Sequence, residues 1–178
     1  GYEEAACQGL MAGINAAHAH VLVVQGTPVA VIRRFDRAPE DARIPYLSGA
    51  TMLQASRQAD HAYTELLAVM KGACANYLDD ARELWRRLVF YHLITNVDDH
   101  LHNIGFLYMG GDQWQLSPAF DVNPMPDKDR ESKTWLSEDT GPITSMAQLM
   151  GQAPQFALTA EQALAIVRQV VEAVGQWR

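Results

Sequence analysis

Asn96-Val97-Asp98-Asp99-His100-Leu101-His102-Asn103, followed by Ser117-Pro118-Ala119-Phe120-Asp121, sets carboxylates and a carboxamide at the two ends of one short stretch of chain. Between them Ile104, Phe106 and Tyr108 alternate with Gly105, Leu107 and Met109. Gly110-Gly111-Asp112 then offers residues that accept positive φ, and Trp114, Gln115 and Leu116 resume a strand-like pattern. This alternation predicts a β-hairpin. A turn centred near Gly111 and Asp112 would set Asn103 across from Phe120 and beside Asp121, at the open end of the hairpin.

The residue types suit one chemistry. Phosphoryl transfer to a hydroxyl needs a carboxylate that orients the attacking group and accepts its proton. It also needs an Asn about five residues later and a further Asp, which hold the magnesium that neutralises the triphosphate. Asp98 and Asn103 have that spacing, and Asp121 is the third member. Carboxylate and carboxamide oxygens are hard donors that suit Mg²⁺ better than Zn²⁺. Taken alone, Asp98 and Asn103 also read as a polar connection whose side chains cap a turn.

The wider sequence carries a resemblance. Arg33-Arg34-Phe35-Asp36-Arg37, Glu83-Leu84-Trp85-Arg86-Arg87, the Asn96 to Asn103 segment, and Leu116-Ser117-Pro118-Ala119-Phe120-Asp121-Val122-Asn123-Pro124 occur in that order. They closely resemble the C-terminal region of the HipA-type toxin serine/threonine kinases, over nearly the whole chain.

The resemblance implies an α+β fold: a mostly helical protein-kinase-like C-lobe with a catalytic β-hairpin over residues 45–178, and a partial N-lobe of one helix and a strand pair over residues 1–44. Asp98 would be the catalytic Asp, with His100 of the same motif in support. Asn103 and Asp121 would bind Mg²⁺ and ATP. Asp99 and His102 fall at more variable positions. Tyr46 and Leu47, in the crossing between the lobes, resemble the hinge that receives adenine, although both could equally be core anchors. The implied partners are a protein substrate, which in known relatives is an aminoacyl-tRNA synthetase, and a HipB-like DNA-binding antitoxin.

A kinase of this kind also needs a Gly-rich loop over the phosphates and a Lys that pairs with them. Gly9, Gly13, Gly26, Gly49 and Gly72 are isolated, and Gly110-Gly111 belongs to the hairpin turn, so no such loop is found. The expectation is a piece of a longer enzyme. A non-catalytic C-lobe that serves as a protein-binding module is the alternative. A third reading takes Asp98, Asp99, His100 and His102 as ligands of a metal-dependent phosphohydrolase. Adjacent residues of an extended segment point opposite ways, so at most some of the four could share a metal.

Composition narrows the classes. The 178 residues are 48% hydrophobic, enough for one sizeable core. A net charge of -7 argues against direct nucleic-acid contact by this segment. Arg33, Arg34, Arg37 and Arg43 read as a solvated or ion-paired edge. Cys7 and Cys74 are widely spaced in apolar surroundings and read as two buried thiols in a reducing compartment. No run reaches the roughly 18 apolar residues of a membrane span, so a soluble, cytoplasmic product is expected.

Periodicity places the elements. Residues 3–12 read as a helix, and 21–24 and 29–34 as strands around Gln25-Gly26-Thr27-Pro28. Helices follow over 63–73 and 79–94, and a long loop over 123–142. A last helix, capped by Thr159, runs over 160–177 with Leu164, Ile166, Val167, Val170, Val171 and Val174 as its apolar face.

Overall fold

The helical periodicity expected over 79–94 becomes the central helix of the core. The computed structural model describes residues 15–56, 58–125, 127–129 and 131–176, so the helix expected over residues 3–12, with Cys7, lies outside the described residues. Helix α3, Tyr77–Ile94, buries Ala81, Leu84, Trp85, Leu88, Val89, Phe90, Tyr91 and Ile94. Helices α2, Tyr63–Ala73, and α5, Ala160–Gly175, contribute Leu66, Leu67 and Met70, and Ala163, Ile166 and Val170, to the same core. Trp85 is fully enclosed and its indole N–H donates to the Leu149 carbonyl at 3.4 Å, so its one polar atom is satisfied. Two short helices complete the set, α1 at Gly49–Leu53 and α4 at Met146–Gln152.

Local chemistry starts the helices where the sequence marks them. Ser48 Oγ accepts the Thr51 N–H at 3.2 Å, and Thr159 Oγ1 accepts the Gln162 N–H at 3.2 Å. At α2 the cap is inverted: Glu65 reaches back to accept the Ala62 N–H at 2.6 Å, because Ala62 has no oxygen of its own to offer.

Among the described residues the strands form three small antiparallel sheets. Strands β1, Ala19–Val24, and β2, Thr27–Ile32, form a hairpin around Gln25 and Gly26, both at positive φ. Strand β3, Tyr46–Ser48, pairs with β4, Gly105–Gly110, which pairs with β5, Gln113–Leu116. Strands β6, Trp135–Ser137, and β7, Gly141–Pro142, pair with each other.

Five expectations change. The β1–β2 turn has two residues, with Thr27 and Pro28 already in the ladder, and β2 stops at Ile32 rather than residue 34. In the second hairpin Phe106 faces Leu116 and Tyr108 faces Trp114, one residue away from the expected register. A bulge between Tyr108 and Gly110 absorbs that residue. The ladder does not reach Asn103, which sits in a 3₁₀ turn, Leu101–Asn103, so no strand pairing sets it against Phe120. The segment expected as a loop over 123–142 carries β6 and β7, too short to register as periodicity. On α5, Leu164 and Val171 are exposed, and the buried stripe runs instead through the small residues Ala163 and Ala173.

Candidate functional site

Helix α3 ends in a way that aims the next segment. Thr95 adopts the left-handed conformation, φ 57°, and donates its N–H to the His92 carbonyl at 3.4 Å, while the Asn96 N–H bonds the Tyr91 carbonyl at 2.9 Å. This paired closure normally uses Gly; a buried β-branched residue there is strained, a cost of the order of 1–3 kcal/mol that structures tolerate chiefly at functional positions. The reversal sends Asn96 into the interior, where its Oδ1 accepts the Asn123 N–H at 3.2 Å. Residues 96–98 and 121–123 are thereby tied together.

Asp98 and Asn103 close the next loop. Asn103 Nδ2 donates to the Asp98 main-chain carbonyl at 3.0 Å. That bond fixes the carboxamide and leaves its Oδ1, a hard oxygen, free of any hydrogen bond among the described residues.

Asp98 and Asp99 face opposite ways. The Asp98 carboxylate is part-exposed, pairs with the Lys133 ammonium, and has His100 Nε2 at 3.7 Å. The hydrogen bond from Lys133 holds its pKa below the ordinary carboxylate value, against a smaller opposing effect of burial. Asp99 is 2% exposed, and burial pushes its pKa up although Oδ1 accepts the Lys133 main-chain N–H at 2.7 Å and Oδ2 the Tyr63 hydroxyl at 3.0 Å. Its carbonyl also accepts the Thr134 hydroxyl at 2.8 Å. One residue thus orients toward solvent and the next bolts the distant 132–134 segment onto the same stretch.

Asp121 arrives on a separately anchored arm. Arg87, 1% exposed on α3, donates to the Ser117 carbonyl at 2.8 Å and the Asn15 carbonyl at 3.2 Å, and Glu83 Oε1 compensates its charge at 2.9 Å. A buried guanidinium with these acceptors is a rigid bracket, and it explains physically the Glu83 to Arg87 motif. Beyond the bracket, Asp121 is exposed with φ 52°, and its Oδ1 accepts from Asn123 Nδ2 at 3.2 Å.

A cleft of about 660 Å³ opens on this arm, lined by Ile32, Arg33, Phe35, Tyr46, Phe120 and Asp121 among others. Phe120 stands between Phe35 and Tyr46, with ring centroids at 5.6 and 6.3 Å. Gly105 is needed here. A Cβ on it would lie 2.4 Å from the Tyr46 ring and 2.6 Å from Ser117 Oγ. An apolar wall of this volume with a carboxylate at one edge has the character of a small-molecule site.

Of the residues singled out in the sequence, the structure therefore joins Asp98, His100 and Asn103 on one segment, and Tyr46 and Asp121 on one cleft. Leu47 is on β3 next to Tyr46 but is not among the cleft-lining residues, as strand alternation requires. Asp99 has its carboxylate turned away from Asp98, onto the Tyr63 hydroxyl and the Lys133 main-chain N–H, and among the described residues no group of three His, Cys, Asp or Glu side chains is placed to hold a metal. Cys74 is a buried free thiol whose pKa burial pushes up to about 12. Arg34 and Arg37 pair with Asp36, as an ion-paired edge should. Sequence reasoning missed Lys133, because an isolated Lys in an irregular loop carries no pattern. It also undervalued Asp99, for which the parity of an extended segment was the available signal.

Comparison with known proteins bears on family and fold. The family model for the HipA-like C-terminal domain matches residues 3–178. A Haemophilus influenzae protein provisionally named a kinase is 28% identical over 109 residues, which cover 54% of this chain and 32% of that protein. The fold is similar to that of the Shewanella oneidensis HipA in its complex with HipB and operator DNA, with TM-score 0.81, 14% identity, and coverage of 98% of this chain and 47% of that one. It is similar also to the Helicobacter pylori proinflammatory kinase CtkA, with TM-score 0.64, 11% identity, and coverage of 99% and 87%. The chain spans about a third of the H. influenzae relative and about half of the Shewanella HipA. Among the described residues no helix is long and apolar enough to cross a membrane. Family match and fold together lead to one conclusion: this chain belongs to the HipA-like C-terminal domain family, with a mixed α/β, kinase-like architecture.

Proposed function

We propose that this chain supplies the catalytic segment, metal ligands and adenine wall of an ATP- and Mg²⁺-dependent serine/threonine protein kinase. The observation that carries the reading is the Asn103 Nδ2 to Asp98 carbonyl bond. It holds the Asn so that its oxygen is presented for a cation beside the carboxylate that would take the acceptor proton. The donor set fits the group: an exposed Asp, a free carboxamide oxygen and room for water are what Mg²⁺ accepts, since it keeps several waters and takes few protein ligands.

In this reading Mg²⁺-ATP supplies the γ-phosphoryl, whose bond to the β–γ bridging oxygen breaks as a new bond to the acceptor oxygen forms. Asp98 orients the Ser or Thr hydroxyl and accepts its proton. Asn103 and Asp121 hold the cation, and Tyr46 and Phe120 pack against the base. His100, whose Nε2 lies 3.7 Å from Asp98, steadies the carboxylate. Residues 15–44 belong to the smaller lobe and the described residues from 45 onward to the larger one, with the aromatic cleft between them. The partners that go with the reading are a protein acceptor and a HipB-like antitoxin; the Shewanella HipA is described with HipB and operator DNA.

The test is phosphotransfer by the full-length protein with and without Asp98→Asn, alongside calorimetric titration of Mg²⁺-ATP into wild type and Asp121→Ala. Loss of transfer in the first variant and of binding in the second supports the assignment. Retention of most transfer by Asp98→Asn would sink it.

A further inference from the structure

Lys133 lies outside every motif read from the sequence, yet it is the side chain that meets the Asp98 carboxylate. Its side chain is 59% exposed, and an exposed ion pair is by itself worth little. The backbone that presents it is held quite differently. Asp99 Oδ1 accepts the Lys133 N–H at 2.7 Å and the Asp99 carbonyl accepts the Thr134 hydroxyl at 2.8 Å. On either side, Ser132 Oγ donates to the Thr134 carbonyl at 2.7 Å, and the Trp135 N–H donates to the His61 carbonyl at 2.9 Å. Keeping the Asp99 carboxylate buried is costly, and its hydrogen bonds fasten the Lys133 segment to the stretch that carries Asp98.

From this geometry we propose that Lys133 is a phosphate-contacting residue, whose ammonium takes the terminal phosphoryl of the bound nucleoside triphosphate, with Asp99 as the positioning residue that holds its segment in place. The inference rests on the kinase reading and names a group that reading does not contain. Asp98, Asp121 and a triphosphate together concentrate negative charge, and beyond the divalent cation such a centre needs a further positive group near the phosphoryl being transferred. A Lys is a point charge on a flexible four-carbon stem, so a part-exposed Lys133 can swing from Asp98 to an incoming anionic oxygen while its main chain stays fixed. A second cavity, about 160 Å³, is lined by His61, His100, His102, Lys133 and Thr134 among others, so Lys133 also borders space for the acceptor side chain.

The deciding experiment is calorimetric binding to the full-length protein of Mg²⁺-ADP and of the non-hydrolysable β,γ-imido analogue of Mg²⁺-ATP, for wild type, Lys133→Met and Lys133→Arg. Lys133→Met is expected to weaken the triphosphate analogue roughly tenfold or more while leaving ADP within about twofold, because only the former reaches the ammonium. Lys133→Arg should recover most of the difference. Equal weakening of both nucleotides would make Lys133 a merely structural residue and overturn the proposal, as would no change in either. Should wild type bind both nucleotides and lose them with Asp121→Ala while Lys133→Met changes nothing, this inference alone falls. Should wild type bind neither, the kinase reading falls with it.

Discussion

The two faces of the 96–103 segment do opposite work within a few ångströms. Toward solvent, Asp98 and His100 are part-exposed and held by side chains that could be displaced. Toward the core, Asn96 and Asp99 are buried, and their oxygens are occupied by Asn123, Tyr63, Lys133 and Thr134. The lesson is that one extended stretch can carry reactivity on its outer face because its inner face is over-determined. Strain at Thr95 and the cost of burying Asp99 are borne by the bonded side. The contrast makes distinct predictions for neighbouring carboxylates of the same type.

The largest effect should come from the outer face. Asp98→Asn is expected to lower kcat about 10²–10⁴-fold, the usual weight of a general base, while Tm stays within about a degree of wild type. A large fall in Tm would mean that Asp98 belongs to the scaffold and would erase the contrast.

Asp99→Ala should act in the reverse sense. It leaves the Lys133 N–H without its carboxylate acceptor and takes one of two acceptors from the Tyr63 hydroxyl, which keeps the Asp99 carbonyl at 3.0 Å, so a loss of about 1–3 kcal/mol in urea unfolding is expected. If stability were unchanged, the buried network would not be what fixes the segment. A third substitution sharpens the picture at the cleft. Gly105→Ala drives a methyl into the Tyr46 ring and Ser117 Oγ, so stability should fall by about 1–3 kcal/mol and nucleotide binding with it. Unchanged binding would show that Tyr46 can move aside without consequence.

Much of this contrast could be read from residue types, and the unread part has a physical reason. Helix α2 is expected over its observed span because its apolar residues repeat at helical spacing, and Tyr63, Leu66, Leu67 and Met70 are the ones it buries. The proposed Asp98, Asn103 and Asp121 set rests on residue type and spacing, both of which phosphoryl transfer restricts. The hairpin register slipped by one, since a bulge changes pairing without altering alternation in the sequence. Lys133 was invisible for a different reason. Its place beside Asp98 depends on hydrogen bonds to a carboxylate 34 residues away in sequence, and no local pattern encodes such a contact. On α5 the expected apolar face holds at Ile166, Val167, Val170 and Val174, whereas Leu164 and Val171 lie outside it because Ala163 and Ala173 complete the buried stripe.

The smallest effect is the pH dependence of the Lys133 to Asp98 pair, and its sign follows from the direction of the Asp98 shift. The Lys133 hydrogen bond lowers the Asp98 pKa in the folded state, so the unfolded chain takes up a proton first as pH falls from the ordinary value of 3.8. The contribution of the pair to stability is therefore present above that value and lost as pH falls through the lower folded one. For a part-exposed pair it should amount to about 0.5 kcal/mol. Urea unfolding of wild type and Lys133→Met should accordingly differ by about that much at pH 7 and converge as pH falls through the lowered folded-state pKa of Asp98. Asp99, whose pKa burial raises, has the opposite sign: it is the folded state that binds its proton first, so its protonation favours folding as pH falls. Because Asp99 is common to both proteins, its effect cancels in the difference. A difference that grew on acidification would mean that Lys133 acts on stability through Asp99 instead, and that the two faces of the segment are not independent.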